Sequence, residues 1–414
     1  MKLRAAFTIC AKNYLAQALT LKNSFKNTNP KIDFFIFLSD LADVDELSSL
    51  DLILLDQNWI PEWKSMAFKY NVIEFSTSIK PFCFNKLFKE DYEKVIYLDP
   101  DIYVTSNLNY IYNYLDTKSI VLTPHYNHIQ EEYSGSVPEE ELLFVGIYNL
   151  GFCAIKCDDI GRKIINWWKN RLTTYCYADK WDGLHVDQKF MDFIPGFFPN
   201  DIKITHHAGI NPAIWNLHER MLEIGTNKIY LIRDNISNEL FPLLFFHFSG
   251  FDPFNPTLVN RRHPKYNTQN FPSFNPLFKE YVDNEYRNGY DYYSKLAYSF
   301  NCYFNREIIL PIHRRLYRKL EYEKIDDNPF DPNGLFYMLL KENKLLSGVK
   351  TNNFSSYSDI ERKRKGSFEK VVILALKILK RLIGIKYYSS FLIFIHDYSR
   401  FERQTILLRH GIKK

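Results

Sequence analysis

The residues best suited to chemistry in this 414-residue chain are two carboxylates two positions apart. Asp99 and Asp101 sit in an Asp-Pro-Asp with apolar residues on both sides, directly after the run at 94–98. In an extended segment, residues two apart point the same way, so both carboxylates can converge on one cation. Mg²⁺ or Mn²⁺ commonly bridges protein carboxylates to substrate phosphates. A solvated turn or helix cap is the alternative for an isolated Asp-x-Asp, but carboxylates at the end of a buried strand need a positive partner. His247 follows the apolar residues 243–246 and precedes Phe248-Ser249-Gly250. As a neutral imidazole it could complete a metal shell; the alternative is a core histidine bonded to backbone. Asp187-Gln188 reads either as a polar pair facing a reacting group or as a helix start with Asp187 as N-cap. Asn149 precedes a strand in Tyr148-Asn149-Leu150-Gly151-Phe152, where Gly151 permits close backbone approach; a plain turn is the alternative. Lys12-Asn13 follows the first apolar run, and 211–220 packs polar residues and a Trp into a short stretch whose ring could stack on a ligand or fill the core.

These side chains need a scaffold that gathers the ends of several strands. Strand-like runs fall at 2–10, 33–38, 52–55, 94–98, 120–123, 152–155, 202–204, 229–232 and 244–248. Helix-like spacing falls at 14–25, 60–70, 79–89 and 160–175. Short continuous apolar runs suit strands buried on both faces. Their alternation with helices predicts an α/β fold, a mostly parallel sheet flanked by helices. Ligands in such sheets bind beyond the carboxyl ends of the strands, where strand order reverses. No Gly-x-Gly-x-x-Gly and no Gly-x-x-x-x-Gly-Lys-Ser/Thr is present, which disfavours a dinucleotide enzyme or a P-loop ATPase. A net charge of +5 is small for this length, and with no basic stripe in the first 250 residues no nucleic-acid partner is expected. The six cysteines are scattered without a Cys-x-x-Cys, so free thiols in a reducing cytosol are expected rather than a zinc site. No apolar run approaches the ~18 residues of a spanning helix, and the N-terminus reads as a first buried strand rather than a signal peptide.

Beyond residue 250 the pattern changes. Residues 251–275 are rich in Pro, Asn and Phe and read as a loop or domain exit. Helical spacing follows at 278–287, 292–300, 308–322 and 335–345, then a polar, Ser/Asn-rich linker at 350–359. Residues 368–385 predict a basic amphipathic helix. The expected organisation is a nucleotide-binding-type domain over 1–265, a helical extension over 266–350, and a linker with basic helices over 351–414. A basic amphipathic helix can bind an anionic bilayer surface, which would make a cytoplasmic chain peripheral on the inner face of the cell membrane. Packing on the protein or in a dimer is the alternative.

Five segments in order carry a resemblance: Phe7-Thr8-Ile9-Cys10-Ala11-Lys12-Asn13-Tyr14, Val95-Ile96-Tyr97-Leu98-Asp99-Pro100-Asp101, Tyr148-Asn149-Leu150-Gly151-Phe152, Val186-Asp187-Gln188 and His247-Phe248-Ser249-Gly250. Together, over roughly residues 1–265, they resemble bacterial GT-A glycosyltransferases related to glycosyltransferase family 8. The resemblance implies a GT-A (Rossmann-like) domain that retains configuration while moving a sugar from a nucleoside diphosphate sugar, with UDP-hexose the expected donor. The implied acceptor is a saccharide or lipid-linked saccharide, in bacterial surface polysaccharide biosynthesis. Asp99, Asp101 and His247 would hold Mn²⁺ or Mg²⁺ against the diphosphate. Thr8, Lys12 and Asn13 would lie near the base and ribose, Lys80 near the nucleotide or its phosphates, and Asn149, Asp187 and Gln188 would face the donor sugar. Gln188 could support an oxocarbenium-like sugar through its amide oxygen. A metal and a cationic side chain would stabilise the charge that develops on the leaving diphosphate. The chain departs from the pattern in one respect: the usual lysine after His-x-x-Gly gives way to Phe251-Asp252-Pro253-Phe254, leaving Arg261, Arg262 or His263 to replace it. The absence of Gln-x-x-Arg-Trp leans toward retention. Two other readings compete. A sugar nucleotidyltransferase would want a glycine-rich loop that 7–14 lacks. A degenerate domain serving as a scaffold is disfavoured by the intact Asp99, Asp101 and His247.

Overall fold

Continuous apolar runs become strands buried on both faces, as the alternation of side chains along them requires. In the computed structural model, residues 2–320, 322, 325–350 and 357–408 are described. Most of the linker expected at 350–359, residues 351–356, lies outside them. Contacts divide the chain into two units, residues 1–61 with 73–296, and residues 62–72 with 297–414.

The first unit is built on seven strands: β1 (Lys2–Cys10), β2 (Asp33–Leu38), β3 (Leu52–Ile53), β4 (Tyr92–Leu98), β6 (Ile120–Leu122), β7 (Phe152–Lys156) and β8 (Ile202–Ile204), with β5 (Ile102–Val104) set apart. Their order is β3-β2-β1-β4-β7-β6-β8. All neighbours are parallel except β7, which runs antiparallel to both β4 and β6. On one face, Ala6, Ile36 and Ile96 form a buried cluster with Leu15, Ala18, Leu21 and Phe25 of the helix Leu15–Thr28. On the other, Phe7 packs edge-on against Phe37 and Phe84, and at a tilt against Tyr97; Phe84 belongs to the helix Lys80–Lys89. The helix Asp159–Tyr175 is capped by Asp158, whose side chain accepts from the Gly161 N–H at 2.8 Å. The expected fold class is therefore present: a mostly parallel sheet flanked by helices, followed by a helical C-terminal region.

Later apolar runs do not join this sheet. The run at 229–232 belongs to an antiparallel sheet ordered β11-β10-β9, made of β9 (Arg220–Ile224), β10 (Tyr230–Asp234) and β11 (Leu240–Pro242). The run at 244–248 contributes β12 (Phe245–His247), which pairs antiparallel with β5 so that His247 lies opposite Ile102. The helix Asn275–Arg287 completes this unit, with Phe274, Leu277, Phe278 and Tyr281 packing on Phe246, Phe248 and Phe251. The stretch expected to be helical at 292–300 is helical only in Tyr290–Tyr293 and a short 3₁₀ turn at Ser299–Asn301.

In the second unit, Arg314 on the helix Pro311–Lys319 is buried and binds the end of the helix Trp63–Lys69. Its guanidinium donates to the carbonyls of Ala67, Phe68 and Tyr70 at 3.1, 2.6 and 2.6 Å. A cation at a helix C-terminus satisfies carbonyls that lack an intrahelical partner. Phe68 is ringed by Tyr303, Tyr317, Phe330 and Phe336. Pro311 at the first helical position sets a later start than the pattern at 308–322 suggested. The basic C-terminal helix runs over Tyr357–Tyr398, longer than expected, and is interrupted at Gly384 (φ 75°). Its apolar residues are not confined to one stripe: Val371, Val372, Ile373 and Leu374 are consecutive and all exposed. Among the described residues, no helix is long and apolar enough to cross a membrane.

Candidate metal and nucleotide site

Asp99, Asp101 and His247 each place a ligand atom within 4.8 Å of the others. Three elements achieve this. β4 delivers Asp99 at its carboxyl end, where the Asp99 N–H donates to the Gly151 carbonyl at 2.7 Å. The Asp-Pro-Asp is a turn closed by the Ile102 N–H on the Asp99 carbonyl at 3.1 Å, rather than the extended segment the spacing suggested. β12 then carries His247 back beside it through its pairing with β5, and the Phe248 N–H donates to the Asp101 carbonyl at 2.8 Å. His247 Nε2 lies 3.2 Å from Asp101 Oδ1 and 3.7 Å from Asp99 Oδ2.

The imidazole is oriented from behind. Asn211, in the left-handed region at φ 59°, donates its amide N–H groups to Thr123 Oγ1 and Asn149 Oδ1, each at 3.0 Å. Its Oδ1 is thereby left to accept from His247 Nδ1 at 3.2 Å. With the proton on Nδ1, Nε2 turns its lone pair toward two carboxylates. That arrangement repels itself without a cation and is satisfied by one. Two carboxylate oxygens and an imidazole nitrogen suit a divalent ion such as Mn²⁺ or Mg²⁺. Trp215 meets the His247 ring edge-on at 5.2 Å. Gly151 is indispensable to the approach: a Cβ there would lie 2.3 Å from His247 Cε1.

A second network lies against the first. Lys80, at the start of its helix, is buried; its ammonium is 2.7 Å from Asp187 Oδ2, 3.8 Å from Asp99 Oδ1 and 4.2 Å from the centre of the Tyr97 ring. It donates to the Leu150 carbonyl at 2.7 Å. The 2.7 Å contact with Asp187 is an ion pair at hydrogen-bonding distance, the ammonium donating to the carboxylate. Burial raises the Asp187 carboxyl to about 6, with Lys80 drawing it back down. Burial lowers the Lys80 ammonium, but Asp187 and Asp99 outweigh that and leave it raised. Tyr97 donates its hydroxyl to Asp99 Oδ1. Asp187 is not an N-cap: the short helix Lys189–Phe193 begins after Gln188. The residue before Asp187, Val186, has φ 42°, a costly conformation for a β-branched side chain and one that concentrates at functional sites.

Asp99, His247, Lys80, Asn149, Asp187 and Gln188 line one cavity; Asp101 is not in its wall but lies 3.2 Å from His247 Nε2. Gln188 is tied on both sides, accepting from the Leu150 N–H at 2.9 Å and donating to the Val145 carbonyl at 2.9 Å. Asn149 Oδ1 accepts from Gly151 N–H and Asn211. Thr8, Lys12 and Asn13 are not in this cavity wall. Lys12 is paired with Asp43, and with Asp40 at 4.0 Å, both from the loop after β2. Thr8 Oγ1 and Asn13 Oδ1 are buried without a hydrogen-bond partner among the described residues. Sequence reasoning missed His125, which lines the cavity and whose ring is neutral, burial lowering it to about 4. Its signal is its position just after β6, at the carboxyl end of a parallel strand.

No protein-family model matches the chain. It is 24% identical over 283 residues to the uncharacterized protein YfnF of Bacillus subtilis (strain 168), covering 66% of this chain and 89% of that protein. It is 24% identical over 184 residues to the uncharacterized protein YfnD of the same organism, covering 43% of this chain and 54% of that one. Among solved structures, galactosyltransferase LgtC, crystallised with donor and acceptor sugar analogues, overlaps with a TM-score of 0.38 at 15% identity, covering 67% of this chain and 95% of that one. The glycosyltransferase GlyE of Streptococcus pneumoniae TIGR4 overlaps with a TM-score of 0.39 at 14% identity, covering 76% and 74%. These overlaps are too slight to carry an argument, so the fold assignment rests on the strand order and pairing above.

Proposed function

We propose that this chain is a metal-dependent glycosyltransferase of the GT-A kind, moving a hexose from a nucleoside diphosphate sugar, UDP-hexose first among candidates, to a saccharide or lipid-linked acceptor. Retention of configuration and a role in bacterial surface polysaccharide biosynthesis belong to the same reading. One observation carries it: His247 Nε2 faces the Asp99 and Asp101 carboxylates while Asn211 fixes the ring from behind, in a cavity wall at the carboxyl end of β4. β4 is where strand order turns back on itself, β1 lying on one side and β7 on the other.

A bound Mn²⁺ or Mg²⁺ would neutralise charge on the departing diphosphate. The chain's own residues do the rest. Asn211 and Gly151 set the imidazole, Lys80 holds a fixed positive charge beside Asp99, and Asp187 balances that charge at neutral pH. Asn149 and Gln188 brace the cavity wall through their amides. No side chain is assigned as nucleophile. The catalytic domain corresponds to residues 1–265. The test is nucleoside diphosphate release from a panel of nucleotide sugars, with and without Mn²⁺. Release from one donor only when Mn²⁺ is present is expected; metal-independent release, or none together with no Mn²⁺-dependent nucleotide binding, sinks the reading.

The proposal extends to the C-terminal helix, where exposed Val371, Leu374, Ile378 and Leu382 alternate with Lys370, Lys377, Lys380 and Arg381. Apolar surface rimmed by cations suits an anionic bilayer, where a lipid-linked acceptor would be held. The full chain is expected to sediment with vesicles containing anionic lipid, and a chain ending at Gly366 is expected to stay in the supernatant. Equal partitioning of the two would remove the membrane contact from the proposal.

A further inference from the structure

The loop leaving β12 is closed on itself by one buried amide. Asn260 donates from Nδ2 to the Ser249 carbonyl and accepts at Oδ1 from the Arg262 N–H, both at 2.6 Å. The Arg261 N–H donates to the Gly250 carbonyl at 2.9 Å. Gly250 has φ 71°, and a Cβ there would lie 2.8 Å from Asn260 Nδ2, so the clamp needs glycine at this point.

The effect is to present Arg262 to the cavity that Asp99, Lys80 and His247 line. The two neighbouring arginines differ. Arg261 lies 4.0 Å from Asp252 Oδ2 and is not in the cavity wall. Arg262 is in the wall, and no carboxylate among the described residues pairs with it. His185 is in the same wall, and the positive charge of Arg262 helps to keep its ring below the ordinary value, after burial. The other cation in the wall, Lys80, is already committed to Asp187. The cavity therefore offers both ligands for a cation and a guanidinium with no carboxylate paired to it among the described residues. A ligand that satisfies both is an anion able to bridge a divalent ion and a planar N–H fork, which describes a phosphate or diphosphate.

We propose that Arg262, presented by the Asn260 clamp, grips the diphosphate of the donor in the cavity that Asp99 and His247 also line. This rests on the donor reading above and settles on one residue of the three candidates at 261–263. His263 is in the same wall, but its Nε2 lies 3.9 Å from Glu141.

The test is calorimetric binding of UDP, GDP, CDP, ADP and dTDP to the full chain with saturating Mn²⁺. For the nucleotide that wild type binds best, Arg262→Gln is expected to weaken binding about tenfold or more, the scale of a lost charge-assisted hydrogen-bond pair. Arg262→Lys keeps the charge without the fork and is expected to fall between. Arg261→Gln, sharing the loop and the charge but not the cavity, is expected to stay within about twofold. Wild-type affinity in Arg262→Gln, or an equal loss in Arg261→Gln, overturns the assignment while leaving the donor reading intact. Absence of Mn²⁺-dependent binding in wild type defeats the donor reading, and this proposal falls with it.

Discussion

Asp101→Asn is expected to lower metal-dependent turnover of the donor by about a thousandfold, about 4 kcal/mol of transition-state stabilisation, in a chain that remains folded. The substitution keeps size and shape and removes one full charge from a three-ligand set. Charge stabilisation at a leaving group acts mainly in the transition state, and losing one well-placed contribution in comparable sites costs about 10²–10³ in rate. Weakened metal binding adds to that. Asp101 is a cleaner target than Asp99, which also accepts from Tyr97 and lies 3.8 Å from Lys80. The measurement is nucleoside diphosphate release against Mn²⁺ concentration. The expected curve for the variant is shifted to higher Mn²⁺ and reaches a lower plateau, with its melting temperature in chelator close to that of wild type. A variant that turns over like wild type at every Mn²⁺ concentration would refute the metal role of Asp101.

What was legible in the sequence was whatever rests on local pattern. β1, β2, β4 and β7 each announce themselves as apolar runs, and the wall residues just beyond β4 and just before β7 could be named from strand ends alone. Asp99, Asp101 and His247 could be grouped because their residue types share one chemistry. The means of their convergence was not legible. The two carboxylates are joined through a turn, and His247 arrives by pairing β12 with β5 across more than 140 residues, a register no local pattern encodes. The antiparallel direction of β7 is likewise set by tertiary packing. Lys12 illustrates another limit of local pattern. Its position after β1 is that of a nucleotide contact, yet the carboxylates of Asp43 and Asp40 occupy its ammonium, and the sequence does not place that loop beside it. Asn211 was only one polar residue in a crowded segment; its role emerges once its amide is seen to be committed to Thr123 and Asn149, leaving a carbonyl for the imidazole.

Lys80→Met is expected to destabilise the chain by about 3–5 kcal/mol at pH 7.5, the cost of leaving a buried charge without its partner. Methionine is close in length and fills the same space, so packing accounts for little of the effect. The loss falls on Asp187, whose side chain is 2% exposed and whose compensating charge is the Lys80 ammonium at 2.7 Å. The pH dependence separates this electrostatic cause from simple misfit. In wild type, burial raises the Asp187 carboxyl to about 6 from an ordinary 3.8, so the native chain takes up this proton before the unfolded chain does. Stability from this group therefore rises as pH falls through about 6 and levels off below the ordinary value. Without Lys80 the native carboxyl is raised further, and protonation relieves the variant at a higher pH than wild type. The destabilisation should accordingly be largest above pH 7 and shrink toward pH 5, where Asp187 is neutral in both proteins. It should not vanish, because below about pH 6 the Lys80 ammonium still faces Asp99 at 3.8 Å and donates to the Leu150 carbonyl, and the variant lacks both contacts. Denaturant unfolding of both chains from pH 5 to 8 measures the difference directly. A loss of stability that is constant across that range would mean that Lys80 acts through its packing, and that Asp187 carries no charge in need of a partner.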